Sequence, residues 1–313
     1  MSLSPEQLEK HCRTIIQSSK IKNKIVVICE GEIQKTQGRP SPQSYKNMEH
    51  MPDANFYKAC VPRWWSQKLP QFFNCGDRKD VIDTYSTLLN LHNQDSSSSY
   101  LHPDKLFAII DLDLQIQNIH DYSFADTEEI FHALYNKFKI NDGNAASHRI
   151  WVTGLIHKEA YFLIPELQSL FNKFSTSPLY NENPIVLKDM YVDMADAIIS
   201  DIDLKNNLPR AVDRISCCPG LDCSEIEKLG KSWKYQFKNS KDDREKNELV
   251  LALLTIKKAK DYWNKVQPCS EWTRTHEAFR EQISLEIGRF YSEQSSDPKY
   301  HIPFFLKTLY EFV

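Results

Sequence analysis

Glycine is scarce in this chain, with 8 residues in 313, against a usual share of about 7%. So few glycines disfavour glycine-built nucleotide loops and turn-rich all-β architectures. Neither GxGxxG nor GxxxxGK[ST] occurs, which argues against a Walker-type ATPase or a standard dinucleotide enzyme. No apolar run approaches the roughly 18 residues a membrane span needs. The opening Met1-Ser2-Leu3-Ser4-Pro5-Glu6 has no basic segment followed by an apolar one, so a cytoplasmic protein without membrane contact is expected. The 8 cysteines are scattered, several within apolar runs, where a free thiol behaves as a small hydrophobe; a disulfide framework is not expected. Excess charge is missing too: a net charge of −3 and a pI near 6.4 provide no global attraction to nucleic acid, so any such binding must come from a local patch. GxSxG and HExxH are absent and the histidines are dispersed.

What the chain does have is an ordinary core composition, 41% hydrophobic and 12% aromatic, and two apolar runs that end in acid. Lys24-Ile25-Val26-Val27-Ile28-Cys29 leads into Glu30-Gly31-Glu32, and Leu106-Phe107-Ala108-Ile109-Ile110 leads into Asp111-Leu112-Asp113. Continuous β-branched runs bounded by polar residues read as strands buried on both faces, as in parallel α/β sheets. Ligands in such sheets bind beyond the carboxyl ends of the strands. Carboxylates gathered there repel one another unless a cation lies between them, and hard oxygen donors suit Mg²⁺ or Mn²⁺.

Around these runs the sequence predicts an α/β fold, a mostly parallel sheet flanked by helices. A leading helix starts at Ser4-Pro5-Glu6. A long loop spans Gly31 to Asp53, Phe56 to Val61 reads as a second strand, and Asp80 to Leu91 and Asp126 to Phe138 read as amphipathic helices. A fourth strand covers Arg149 to Gly154. Beyond Leu155 helical patterns dominate: Glu159 to Phe174, Asp189 to Ser200, Ser224 to Phe237, Asp242 to Val266, Glu271 to Glu293 and Phe304 to Phe312. This C-terminal region reads equally as a separate domain or as a shell on the sheet.

The order strand-Glu30-Gly31, a long interval, then strand-Asp111-Leu112-Asp113 within a β/α alternation resembles the TOPRIM domain of topoisomerases, bacterial primases and OLD-type nucleases. The resemblance divides the chain into a leading helix at 1–20, a TOPRIM-like α/β domain at 21–160 and a mainly helical region at 161–313. It implies that Glu30, Asp111 and Asp113 hold Mg²⁺ for phosphodiester chemistry on nucleic acid, DNA ahead of RNA, with Glu30 as ligand or general base. Thr153 to Leu163 resembles the segment after the fourth strand in OLD-type proteins, where Glu159 would be a further ligand or activate water, and His157 or Lys158 would offset phosphate charge. Gln115 stands where many members carry a third acid, and no glycine closely follows the Asp-x-Asp.

The implied activity is a nuclease. The alternatives are an Asp-x-Asp glycosyl or nucleotidyl transferase, which would not need Glu30, and a non-catalytic TOPRIM-like module binding nucleic acid or a partner such as an ATPase. Phosphate contacts are expected from Arg39, Lys46 and Arg63 near the metal and from Lys158. Lys231 and Lys234 lie in a stretch that interleaves bases with Trp233, Tyr235 and Phe237, a nucleic-acid composition that a solvated helix face explains equally well. Cys217, Cys218 and Cys223 lack zinc-knuckle spacing and read as loop cysteines, with Ser224 capping the next helix. Asp201-Ile202-Asp203 follows a helical run and reads as a turn.

Overall fold

Four short, apolar strands form the central sheet: β1 (Val26–Cys29), β2 (Gln71–Asn74), β3 (Leu106–Ile110) and β4 (Ile150–Val152). Their order is β2-β1-β3-β4 and every pairing is parallel. Every residue of β1 and β3 is buried, which is why their sequences run apolar without alternation. The computed structural model describes residues 3–33, 52–174, 177–270 and 272–313.

Helices flank the sheet on the N-terminal side: α1 (Pro5–Ile16), α2 (Pro52–Ala59), α3 (Arg78–Gln94) and α4 (Thr127–Leu134). The Ser4 hydroxyl caps α1, and Gln7 completes a capping box. Helices α5 (Leu187–Asp196), α6 (Leu208–Ile215), α7 (Ile226–Asn239), α8 (Asp243–Ile256), α9 (His276–Ser292) and α10 (His301–Tyr310) make up the C-terminal region. They share one hydrophobic core with the sheet. Trp151 of β4 meets Phe305 of α10 at 4.6 Å between ring centroids, Phe56 of α2 meets Tyr291 of α9 at 6.3 Å, and the Arg149 guanidinium lies 4.4 Å from the Phe312 ring. The region is thus a shell on the sheet. No helix among the described residues is long and apolar enough to cross a membrane.

Several expected elements are corrected. Phe56 to Val61 is no strand: it lies at the end of α2 and just beyond, where Phe56, Tyr57 and Cys60 share one buried helical face while Lys58 points to solvent. The true second strand, Gln71–Asn74, is too short to show a period. The helix from Asp126 stops at Leu134, because Tyr135–Asn136 pairs with Lys139–Ile140 through a turn with positive φ at Lys137 and Phe138. Glu159 to Phe174 is broken into short pieces: a 3₁₀ turn, Lys158–Phe162, precedes Pro165, which opens a second one. The helix expected through Val266 ends at Ile256. Ser224 donates to Asp222 rather than capping α7, and Asp201 caps a short helix, Ile202–Asn206, rather than lying in a turn.

One close approach locks the two regions together. A Cβ on Gly288 of α9 would lie 2.6 Å from Ala59 Cβ and 3.1 Å from Phe56 O of α2. Gly288→Val should therefore destabilise the protein by ~1–3 kcal/mol through overpacking, read as a lowered urea midpoint; an unchanged midpoint would show that α2 and α9 do not pack this closely.

Candidate functional site

The register Cys29↔Ile109 sets Glu30 level with Ile110, one residue short of Asp111. Both acids consequently leave the carboxyl ends of the two central strands side by side, at the mouth expected for a parallel sheet. They line a cleft of about 1600 Å³ together with Asp113, His157, Lys158 and Glu159.

Local backbone geometry explains the residues around each acid. Gly31 and Gly76 exchange two main-chain hydrogen bonds, of 2.9 and 2.8 Å, joining the ends of β1 and β2. Gly31 sits at φ +146°, and a Cβ there would lie 2.5 Å from both Asn74 Nδ2 and Asp53 Oδ2. Only glycine fits after Glu30. In the segment that follows β3, Leu112 and Leu114 are fully buried, leaving Asp111 and Asp113 to line the cleft. Asp113 takes φ +41°, a left-handed conformation that Asp tolerates better than most residues; its N–H donates to Ile156 O at 3.0 Å, and its Oδ1 accepts from Leu114 N–H at 2.6 Å. The Thr153 hydroxyl accepts from Leu112 N–H at 3.0 Å and donates to Leu155 O at 2.7 Å, tying the end of β4 to the same loop.

The acids are held by amides. Asp111 N–H donates to Glu30 Oε1 at 2.7 Å, and Lys158 N–H donates to Asp111 Oδ1 at 3.0 Å. Burial pushes the Glu30 carboxyl up to about 7, with the Asp111 amide and Arg78 pulling the other way. Asp111 is pushed well above the carboxylate range, first by burial and then by the charges of Glu30 and Glu159. For Glu159 burial also acts upward, but Lys158, His157 and Lys260 prevail and its carboxyl is lowered. The Lys158 ammonium, lowered by burial, pairs with Asp53 and stands 3.8 Å from Glu159 Oε1. His157 is lowered by burial, and its Nδ1 is buried without a hydrogen-bond partner among the described residues.

Among the described residues no three His, Cys, Asp or Glu side chains are gathered as a ready metal cage, whether at these acids or at Cys217, Cys218 and Cys223; all 8 cysteines are free. Mg²⁺ needs no such cage, since it keeps several waters and takes one or two carboxylates plus substrate phosphate. The hard oxygen donors of these acids fit that ion.

Of the other predicted residues that are described, only Lys158 enters the cleft. Arg63 pairs with Glu293 at 3.2 Å, while Lys234 of α7 pairs with Asp196, and neither lines the cleft; nor does Lys231. Arg39 and Lys46 lie outside the described residues. The structure adds Asp53, Arg78, Lys258 and Lys260 to the lining. Arg78 Nη1 donates to Leu112 O at 3.1 Å. It follows Asp77, whose capping box with Asp80 opens α3, a start signal legible in Asp77-Arg78-Lys79-Asp80. No signal in the sequence links Lys258 or Lys260 to acids so distant along the chain. No protein-family model, curated protein or solved structure matches this chain.

The raised Glu30 carboxyl has a signed consequence. The native state keeps a proton that the unfolded chain releases near 4.5, so stability of the metal-free protein falls as pH rises from about 4.5 through about 7. In EDTA at pH 8, Glu30→Gln should be more stable than wild type by ~3 kcal/mol, with the difference vanishing near pH 4. A difference of equal size at both pH values in denaturant titrations would contradict the assignment.

Proposed function

We propose that this chain is a TOPRIM-like, Mg²⁺- or Mn²⁺-dependent phosphodiester enzyme acting on nucleic acid, DNA ahead of RNA, with hydrolytic cleavage as its reaction. One observation carries the reading: Glu30 and Asp111 end neighbouring central strands of an all-parallel sheet and line one cleft, with Asp113 beside them. An Asp-x-Asp transferase would leave Glu30 without a role, whereas here Glu30 accepts the Asp111 amide proton.

Asp111 and Asp113 would hold the cation, with Glu30 as a further ligand or as general base; when bound, the cation supplies Lewis acidity toward a phosphoryl oxygen and a more acidic water. The remaining work belongs to the chain. As a base, Glu30 would take a proton from water at the place where the Asp111 amide fixes its Oε1. Lys158 and Arg78 bring positive charge to the cleft where phosphate negative charge must be offset. Lys158 N–H orients the Asp111 carboxylate through the 3.0 Å bond. A second reading, a non-catalytic binding module, is favoured by the Lys158 ammonium already lying among Asp53 and Glu159.

The test is cleavage of supercoiled plasmid, single-stranded DNA and single-stranded RNA with Mg²⁺ or Mn²⁺. Wild type should cut a DNA substrate, Glu30→Gln and Asp111→Asn should cut it about 10²- to 10⁴-fold more slowly, and Lys234→Ala should match wild type. Binding without cleavage by wild type supports the second reading, and cleavage that survives Asp111→Asn removes the first. Separately, Mg²⁺ should raise the melting temperature of wild type at pH 8 but not of Asp111→Asn, because only a ligand of the native state stabilises it.

A further inference from the structure

The cleft is completed by the C-terminal region. Lys258 and Lys260 lie in its lining beside Asp113 and Glu159, at the break between α8 and the short helix Lys260–Trp263. Main-chain bonds fix that break to the acids. Asp113 N–H donates to Ile156 O at 3.0 Å, and Ile156 N–H donates in turn to Leu254 O at 2.9 Å; the Thr255 hydroxyl reaches Gly154 O at 3.4 Å.

Where α8 ends, Lys257 becomes extended and its ammonium meets Asp201 at 2.5 Å, with 8% and 9% of the two side chains exposed. A buried pair of this kind, left broken, costs several kcal/mol, so the break is a built feature. Lys258 pairs with Asp203. The second Asp-x-Asp motif is therefore a clamp that holds two consecutive lysines, and it leaves Lys260 exposed, lining the cleft and in no ion pair among the described residues.

Charge decides what this wall can face. Among the described residues the cleft lining carries eight carboxylates against six Lys or Arg, so without a cation the acids repel a polyanion. At this wall the bases that line the cleft are Lys258 and Lys260, since Lys257 is buried against Asp201. Lys258, already held by Asp203, loses little further side-chain freedom when it meets a phosphate.

We propose that Lys260, with Lys258 beside it, is a subsite for a backbone phosphate flanking the one at Glu30, Asp111 and Asp113. The site then takes a nucleic-acid strand and discriminates against a free mononucleotide, which supplies no flanking diester. This rests on the phosphodiester reading above and adds the strand's path to it.

The experiment is fluorescence anisotropy of a labelled single-stranded DNA oligonucleotide with the full chain, in Ca²⁺ so that the strand stays intact, over a series of KCl concentrations. The Lys258→Ala/Lys260→Ala double variant should bind about tenfold or more weakly. It should also lose roughly 1.4 from the slope of log K against log salt, at ~0.7 per single-strand phosphate contact. Lys234→Ala should bind as wild type does, and neither a mononucleotide nor inorganic phosphate should compete at concentrations equal to the oligonucleotide. If the double variant fails to fold by circular dichroism, the exposed Lys260→Glu carries the same expectation of weaker binding. Wild-type affinity and slope in the folded variant overturn the subsite, as does equal competition by mononucleotide or phosphate; in both cases Mg²⁺-dependent cleavage by wild type would leave the phosphodiester reading standing. Wild type that neither binds nor cuts overturns both.

Discussion

Two carboxylates share the buried end of a parallel sheet, and much of the surrounding structure answers that constraint. Glu30 and Asp111 are 81 residues apart in sequence, yet the β1-β3 register delivers them to adjacent positions. Like charges in a low-dielectric site cannot both ionise cheaply. The fold meets them with main-chain amides from Asp111 and Lys158, with the Arg78 guanidinium held by Leu112 O, and by leaving protons on the acids.

The C-terminal helices belong to that same answer. They are bound to the sheet through aromatic contacts such as Trp151 with Phe305 and through the close approach of Gly288 to Ala59. Arg210 of α6 donates to Leu114 O, next to Asp113, and the α8 terminus is hydrogen-bonded to Ile156, the residue that holds Asp113 N–H. Helices far along the chain thereby set the conformation of the acidic loop. A buried ion pair at Arg214 and Glu128 anchors α6 to α4 in the same layer; its loss would leave one charge unpaired in the core.

Local patterns were legible wherever the burial was uniform or the cap was local. The two apolar runs became β1 and β3 because a strand covered on both faces has no polar positions to interrupt it. The leading helix was announced by Ser4-Pro5-Glu6. Failures came where a short segment carried no period or where a distant contact overrode it. Phe56 and Tyr57 look like strand residues until helix packing against β2 and α9 is seen. The break after Ile256 depends on Lys257 reaching Asp201, 56 residues away. Of the basic residues expected to contact phosphate, Lys158 lies in the cleft on the segment that leaves β4, while Arg63 and Lys234 pair with acids elsewhere.

The sequence by itself determined that acids would sit beyond two buried strands, because apolar runs ending in Glu-Gly and Asp-x-Asp leave them no other local placement. It also places a glycine after Glu30, but that only glycine fits there, because Asn74 and Asp53 crowd the position, appears only in the fold. Tertiary structure alone decided that β1 and β3 would be neighbours, that the acids would thereby repel one another, and that Lys258 and Lys260 would stand in the same cleft. Strand neighbours and cross-region lysines are set by long-range packing and by ion pairs whose partners lie tens of residues apart, and no local period or spacing encodes them.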